Sequence, residues 1–184
     1  VFKDVDAAMM IHGFDRTLLH QDLLGIARAT LEFTGKASHA SADPWEGVNA
    51  LDACVQTYNA VSMLRQQVRP DCRIHGIITS GGAAANIIPE YASAIFYVRA
   101  PSIDAMWDLY RRVIACAEGA AKASGCELKV TQHDSVYEPM KSSRVLLDLF
   151  KANMTSVGLK EGLPIPDRKG SSDVGNVSQV LPTI

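Results

Sequence analysis

The 184-residue sequence predicts an α+β protein. Its centre is a ferredoxin-like β-α-β-β-α-β unit over residues 26–134, and pieces of a second, α/β domain flank it at 1–25 and 135–184. Three observations carry this prediction. Four segments show the two-residue apolar alternation of half-buried strands, two longer segments carry a helical apolar stripe, and they follow one another as strand, helix, strand, strand, helix, strand. Two helices of this length suffice to cover one face of a four-stranded antiparallel sheet.

In chain order, Ala7 to Ile11 is continuously apolar and predicts a short strand buried on both faces, with His12 at its exit before Gly13. A histidine at the carboxyl end of such a strand is placed to project into a site; the competing reading is a core imidazole satisfied by a backbone carbonyl. Residues 15–25 lack periodicity and read as a crossover. From residue 26 to 36, Ala29, Leu31 and Phe33 face one way and Arg28, Thr30, Glu32 and Thr34 the other. Gly35 then turns the chain into Lys36-Ala37-Ser38-His39-Ala40-Ser41-Ala42, where small neighbours leave the His39 imidazole room to reach a ligand. The plainer alternative is a polar loop whose histidine caps something nearby.

Asp43, Pro44 and Glu46 form an N-terminal capping pattern that predicts a helix over 44–68. Its stripe is Val48, Leu51, Val55 and Tyr58, widened by Cys54, Val61 and Leu64, and Pro70 stops it. A second strand over 72–79 sets Ile74, Gly76 and Ile78 against Arg73, His75 and Ile77, and Ser80-Gly81-Gly82 breaks it. That glycine pair has neither the lysine nor the following helix of a phosphate loop. A third strand over 91–99 points Ala92, Ala94, Phe96 and Val98 to the core and assigns Arg99 to the opposite face. Pro101 and Ser102 open a second helix bearing Met106, Leu109, Val113, Cys116 and Ala120, ended by Ser124-Gly125. The fourth strand, 127–132, turns Leu128 and Val130 inward. Beyond it, Ser142 or Ser143 caps a helix with Leu146, Leu149, Phe150 and Met154 in register. A Gly/Pro-rich linker over 158–170 leads to the Asp173 segment and a strand-like apolar run, Val180 to Ile184.

Composition narrows the function. With 47% hydrophobic and 21% charged residues the chain is of ordinary globular type, and a net charge of −2 offers no basic footprint for nucleic acid. No apolar run is long enough to span a membrane and no secretory signal is present, so cytoplasmic residence is expected. The four cysteines, Cys54, Cys72, Cys116 and Cys126, form no C-x-x-C pair and read as buried thiols rather than zinc or redox ligands. His20, His75 and His133 read as surface or sheet-edge residues. The start at Val1 and the apolar stop at Ile184 read as cut ends.

Six motifs in order then carry a family resemblance: Gly35-Lys36-Ala37-Ser38-His39-Ala40, Gly47-Val48-Asn49-Ala50, Gly81-Gly82, Asn86-Ile87-Ile88-Pro89, Val98-Arg99, and Ser172-Asp173-Val174-Gly175-Asn176-Val177-Ser178. Together they resemble the aminoacylase and carboxypeptidase family of co-catalytic zinc metallopeptidases, and within it the aminoacylase-like dipeptidases and the amidohydrolases that split aminoacyl or aminobenzoyl amides. The resemblance implies a metal-dependent enzyme with an α/β zinc-peptidase catalytic domain holding two divalent metal ions, zinc or manganese, and an inserted lid that also forms a homodimer. Residues 1–25 and 135–184 would then be catalytic-domain pieces and 26–134 the lid. His39 matches the lid histidine that reaches the active site of the second protomer and donates to the oxyanion. Asn86 matches an asparagine near the scissile amide or the substrate carboxylate, and Arg99 an arginine that helps hold that carboxylate. His12 stands at a metal-binding histidine, and Asp173 lies in a loop lining the catalytic pocket, in a structural or substrate-orienting role.

The implied substrate is an N-acyl amino acid or a dipeptide. In the implied chemistry a metal hydroxide attacks the amide carbon and charge grows on the carbonyl oxygen; a preorganised donor aimed there contributes on the order of 10²–10³ in rate. The family's remaining metal ligands and its catalytic glutamate lie outside Val1–Ile184, so the chain is expected to be an internal fragment that does not hold both metals and is inactive alone. A reading from a different class is a non-catalytic ferredoxin-like module for dimerisation or for binding a small effector. In either case the second strand is a sheet edge, and exposed Ile77 marks it for pairing with a second copy.

Overall fold

Alternation over the first strand places Ala27, Ala29, Leu31 and Phe33 on one face, each at most 1% exposed. The computed structural model describes residues 2–163 and 169–184, and in it this strand, β1 (Gly25–Thr34), is central to a four-stranded sheet. The elements that follow are α1 (Ala50–Leu64), β2 (Arg73–Ser80), β3 (Tyr91–Ala100), α2 (Ile103–Ser124) and β4 (Glu127–Gln132), in the sheet order β2-β3-β1-β4. This is the predicted ferredoxin-like arrangement. β1 pairs antiparallel with β4 from Ala29↔Gln132 to Thr34↔Glu127, and β2 pairs antiparallel with β3 from Arg73↔Arg99 to Ser80↔Ser93. A register shift falls between Ile78 and Ser80.

The covered face of the sheet adds Ala92, Ala94, Phe96 and Val98 from β3, and the helices bring Ala53, Cys54 and Val61 from α1 and Met106, Leu109, Val113 and Ala117 from α2. Small side chains on α1 and β3 let backbone approach backbone, so the bulk of the core falls to Phe33, Phe96, Leu31 and Met106. Thr57, fully buried on α1, donates its hydroxyl to the Ala53 carbonyl at 2.8 Å. Burial also pushes the Cys54 thiol up to about 11, which keeps it an unreactive packing group.

Several local expectations are corrected. The first helix begins at Ala50, not at residue 44. Pro44–Glu46 is a separate 3-10 turn, and the cap is Asn49, whose side-chain oxygen accepts from Leu51 N and Asp52 N at 2.9 and 3.2 Å. The reason is that Val48 is in a bridge with Lys36, N–H to carbonyl in both directions at 2.9 Å, which withdraws it from helical geometry. Val55 accordingly lies outside the buried stripe at 40% exposure. Val130 is exposed as well, because β4 is an edge strand.

The chain divides into two compact units, one of Val1–Ile26, Pro101–Ile103 and Tyr137–Ile184, the other of Ala27–Ala100 and Asp104–Val136. In the first unit, α3 (Arg144–Ser156) and a short α4 (Val174–Ser178) are the helices described. Of the stripe expected on α3 only Met154 is buried, and Leu149 remains largely exposed. Ala7–Ile11 is not a strand buried on both faces: it makes a single parallel bridge, Ala8↔Thr183, and Ile11 is 84% exposed. The run at 180–184 is likewise no strand but contributes isolated bridges of Thr183 to Ala8 and to Ser142. Among the described residues no strand or helix covers these segments, and apolar composition alone does not bury them. Part of the 158–170 linker, residues 164–168, lies outside the described residues.

Candidate functional site

The loop that follows β1 is built around its histidine. Gly35 admits no side chain, since a Cβ there would collide with the Val48 carbonyl, and this close approach sets the Lys36–Val48 bridge. Lys36 Nζ also reaches Glu46 Oε2 at 3.6 Å across the same turn. Within the loop, Ser38 Oγ donates to the Asp43 carbonyl, and Asp43 N–H donates to the His39 carbonyl at 3.2 Å. The Nδ1 atom of His39 accepts from Ser41 N and Ala42 N at 3.3 and 3.2 Å, with Ser41 Oγ at 3.2 Å. Backbone N–H groups can only donate, so Nδ1 must carry the lone pair, and in the neutral ring the proton resides on Nε2. The loop therefore presents an exposed imidazole as a donor, with its tautomer set by two backbone amides.

The segment before β3 is zipped onto this loop. Gly35 N donates to Glu90 O, Ile88 N to Ser38 O and Ala40 N to Asn86 O, at 2.8, 2.8 and 2.9 Å, and His39 bridges Ile87. Gly82, at φ +107°, turns the chain into this run against the ring of Pro89. The backbone of Asn86 is thereby brought next to that of His39, while it is Ile87 that pairs with the histidine. Among the described residues neither His39 Nε2 nor the Asn86 side chain has a protein hydrogen-bond partner, so both stand open to a ligand. A shallow recess of about 440 Å³ lies among their chain neighbours, lined by small uncharged residues that include Ala40, Gly82, Ala84 and Pro89 but by neither His39 nor Asn86.

Arg99 is not brought to this place. It lies near the far end of β3, eight residues from Tyr91, or roughly 26 Å of extended strand. There it is half-buried on the open face of the sheet, and its Nε donates to His75 Nε2 at 3.2 Å. Alternation alone makes His75 a plain sheet-edge residue. Its connection to Arg99 follows from the hairpin register, which sets His75 opposite Tyr97 and so diagonal to Arg99.

In the first unit, His12 is exposed, with Nδ1 2.9 Å from the Gly13 carbonyl. It lines a hollow of about 670 Å³ together with Met10, His20, Lys169 and Ser172. His20 lies between Asp22 and Ser142 at 3.1 and 3.0 Å, and Lys169 holds the same Asp22 carboxylate at 3.0 Å. The Lys169 contact first, then that of His20, keeps Asp22 below the usual carboxylate range. Asp173 is exposed at the start of α4, where it accepts from Ser172 Oγ at 3.2 Å. Gly175 on that helix packs against the Glu138 carbonyl with no space for a Cβ. Among the described residues no group of three or more His, Cys, Asp and Glu side chains is placed to hold a metal ion. The donors around His12 thus do not fit a co-catalytic metal pair. Nor is any described helix long and apolar enough to cross a membrane.

Comparison with known proteins agrees with the architecture. The family described as "Peptidase dimerisation domain", of the M20 peptidases, matches residues 23–124. The chain is 37% identical over 186 residues to the Xaa-Arg dipeptidase of Mus musculus, covering all of this chain and 43% of that protein. It is 36% identical over 124 residues to a p-aminobenzoyl-glutamate hydrolase polypeptide of Escherichia coli K12, covering 66% of this chain and 26% of that one. In fold it is similar to the crystal structure of an aminobenzoyl-glutamate utilization protein from Klebsiella pneumoniae, with a TM-score of 0.80 at 20% identity over 98% of this chain and 49% of that one. The chain belongs to the M20 peptidase family and contains its dimerisation domain. It spans less than half the length of the dipeptidase relative it matches.

Proposed function

We propose that this chain is the lid of a metal-dependent amidohydrolase or dipeptidase, with flanking pieces of its catalytic domain, acting on the amide bond of an N-acyl amino acid or a dipeptide. The observation that carries the proposal is the His39 loop. Two backbone amides occupy Nδ1, so Nε2–H is a fixed donor of the kind that stabilises a developing oxyanion. Asn86, zipped alongside, orients the substrate near the scissile amide. Arg99 holds the substrate carboxylate through paired guanidinium N–H donors. The names of the relatives, an Xaa-Arg dipeptidase and an aminobenzoyl-glutamate hydrolase, fit this substrate class. Metal ions held by the catalytic domain would activate the nucleophile; His12 would supply one ligand to them, and the Asp173 segment would line the pocket. A non-catalytic module would account for the sheet but not for a histidine loop so fully committed to one tautomer.

The chain alone is expected to show no amidase turnover with zinc or manganese added, measured on N-acyl amino acids and dipeptides. Metal-dependent turnover by these 184 residues would overturn the assignment of the metal centre to segments outside them.

The lid also makes a homodimer through the edge of β2. Among the described residues that strand has one sheet neighbour, and Ile77 on it is 63% exposed. Sedimentation at tens of micromolar is expected to show a dimer for the native sequence and a monomer for Ile77→Lys. A native monomer, or a dimer indifferent to the substitution, counts against pairing at this edge.

A further inference from the structure

On the open face of the sheet, four side chains from three strands interlock. Arg99 Nε donates to His75 Nε2 at 3.2 Å, the His75 ring meets the Tyr97 ring edge-on at 5.4 Å between centroids, and the Arg28 guanidinium lies 5.1 Å over the other ring of that pair, Tyr97. A guanidinium has no acceptor, so this contact exists only when His75 Nε2 is unprotonated. We propose that His75 is a positioning residue for Arg99. As a neutral imidazole it holds the Arg99 Nε–H and thereby aims the guanidinium at the substrate carboxylate, and on protonation it releases and repels it. This rests on the assignment of Arg99 to carboxylate binding.

The surroundings of His75 favour the neutral form. The groups facing it are Arg99 and Tyr97 on β3 and Arg65 in the turn after α1; Arg28 of β1 lies over the Tyr97 ring, and Arg73 on its own strand is turned to the Pro70 and Cys72 carbonyls. Partial burial, then the positive charges of Arg99 and Arg65, hold its imidazole below the ordinary histidine range. Its acid form therefore gathers only below the ordinary histidine range. Arg99 and Arg65 both act on that ring, so one further positive charge there is opposed. The sign for stability follows: the unfolded chain takes up this proton before the folded one does, so stability falls as pH drops through that window.

The test has a spectroscopic and a kinetic part. In the 184-residue chain with nitrogen-15 histidine, His75 is expected to show an unprotonated Nε2 and a protonated Nδ1 at pH 7.5, and its midpoint is expected to rise in Arg99→Ala. A protonated Nε2 at pH 7.5 overturns the proposal whatever the variants do. In the full-length enzyme, KM for an N-acyl amino acid should rise as pH falls through the His75 midpoint while kcat follows its own profile. His75→Leu should raise KM about tenfold at pH 7.5 with little change in kcat. His75→Gln, whose amide oxygen accepts the same Nε–H but does not titrate, should restore the low KM and remove the acid rise. KM unchanged in His75→Leu, or an acid rise that persists in His75→Gln, overturns the proposal. Arg99→Ala separates the two claims: if it leaves KM unchanged, carboxylate binding by Arg99 fails; if it raises KM while His75→Leu does not, only the positioning role fails.

Discussion

Replacing His39 by alanine in the full-length enzyme is expected to lower kcat about 10²–10³-fold, because under the proposed function it removes one preorganised donor to the oxyanion. KM should change little, since the donor acts on charge that develops only in the transition state. The loop itself should persist, as Gly35, the Lys36–Val48 bridge and the Ile88–Ser38 and Ala40–Asn86 hydrogen bonds all use backbone atoms. A kcat within threefold of the native value would remove His39 from the reaction. The separation of His39 from Arg99 along β3 adds a second arm. If the two residues serve different sites of a homodimer, mixing the His39→Ala and Arg99→Ala proteins restores activity to about a quarter of native, because half of the dimers are mixed and each mixed dimer has one intact site. Two variants that stay inactive together would place both residues in the same site.

Phe96→Ala is expected to destabilise the chain by about 3–5 kcal/mol, read as a lowered urea midpoint at unchanged slope. Phe96 is 1% exposed and sits at the junction of three elements. Its ring meets Tyr58 of α1 at 5.5 Å between centroids, and it lies under Gly76 of β2, where a Cβ would come within 2.7 Å of the ring. Tyr58 in turn donates its hydroxyl to the Gly76 carbonyl at 2.9 Å. Removing the ring leaves a cavity beneath the edge strand that carries His75 and Ile77, and the small neighbours Ala92 and Ala94 have no length to fill it. Against a total of roughly 5–15 kcal/mol for a domain this is a large fraction. A loss below about 1 kcal/mol would mean that the core repacks around the gap.

Residue type and period alone determined the βαββαβ order, the core faces of β1 and β3, the edge position of β2 and the family motifs, because alternation and helical stripes are properties of neighbouring residues. The resemblance those motifs carry, rather than periodicity, implies site roles for His39, Asn86 and Arg99. What only the tertiary structure decided lies between residues distant in the chain. The Asp43-Pro44-Glu46 pattern satisfies every local rule for a helix start, yet the helix begins at Ala50 because Lys36 pairs with Val48. The apolar run at Ala7–Ile11 has a buried strand's composition but lacks covering neighbours among the described residues. The tautomer of His39 depends on the two amides that the loop folds back onto Nδ1, and its pairing with Ile87 on the zipping of 86–90 against 35–40. His75 shows the limit most plainly: alternation on an edge strand describes it as surface, and only the register of β2 against β3 sets it beside Arg99. Periodicity assigns a residue to a face, whereas pairing register, fixed by packing across the whole sheet, decides which residues on that face meet.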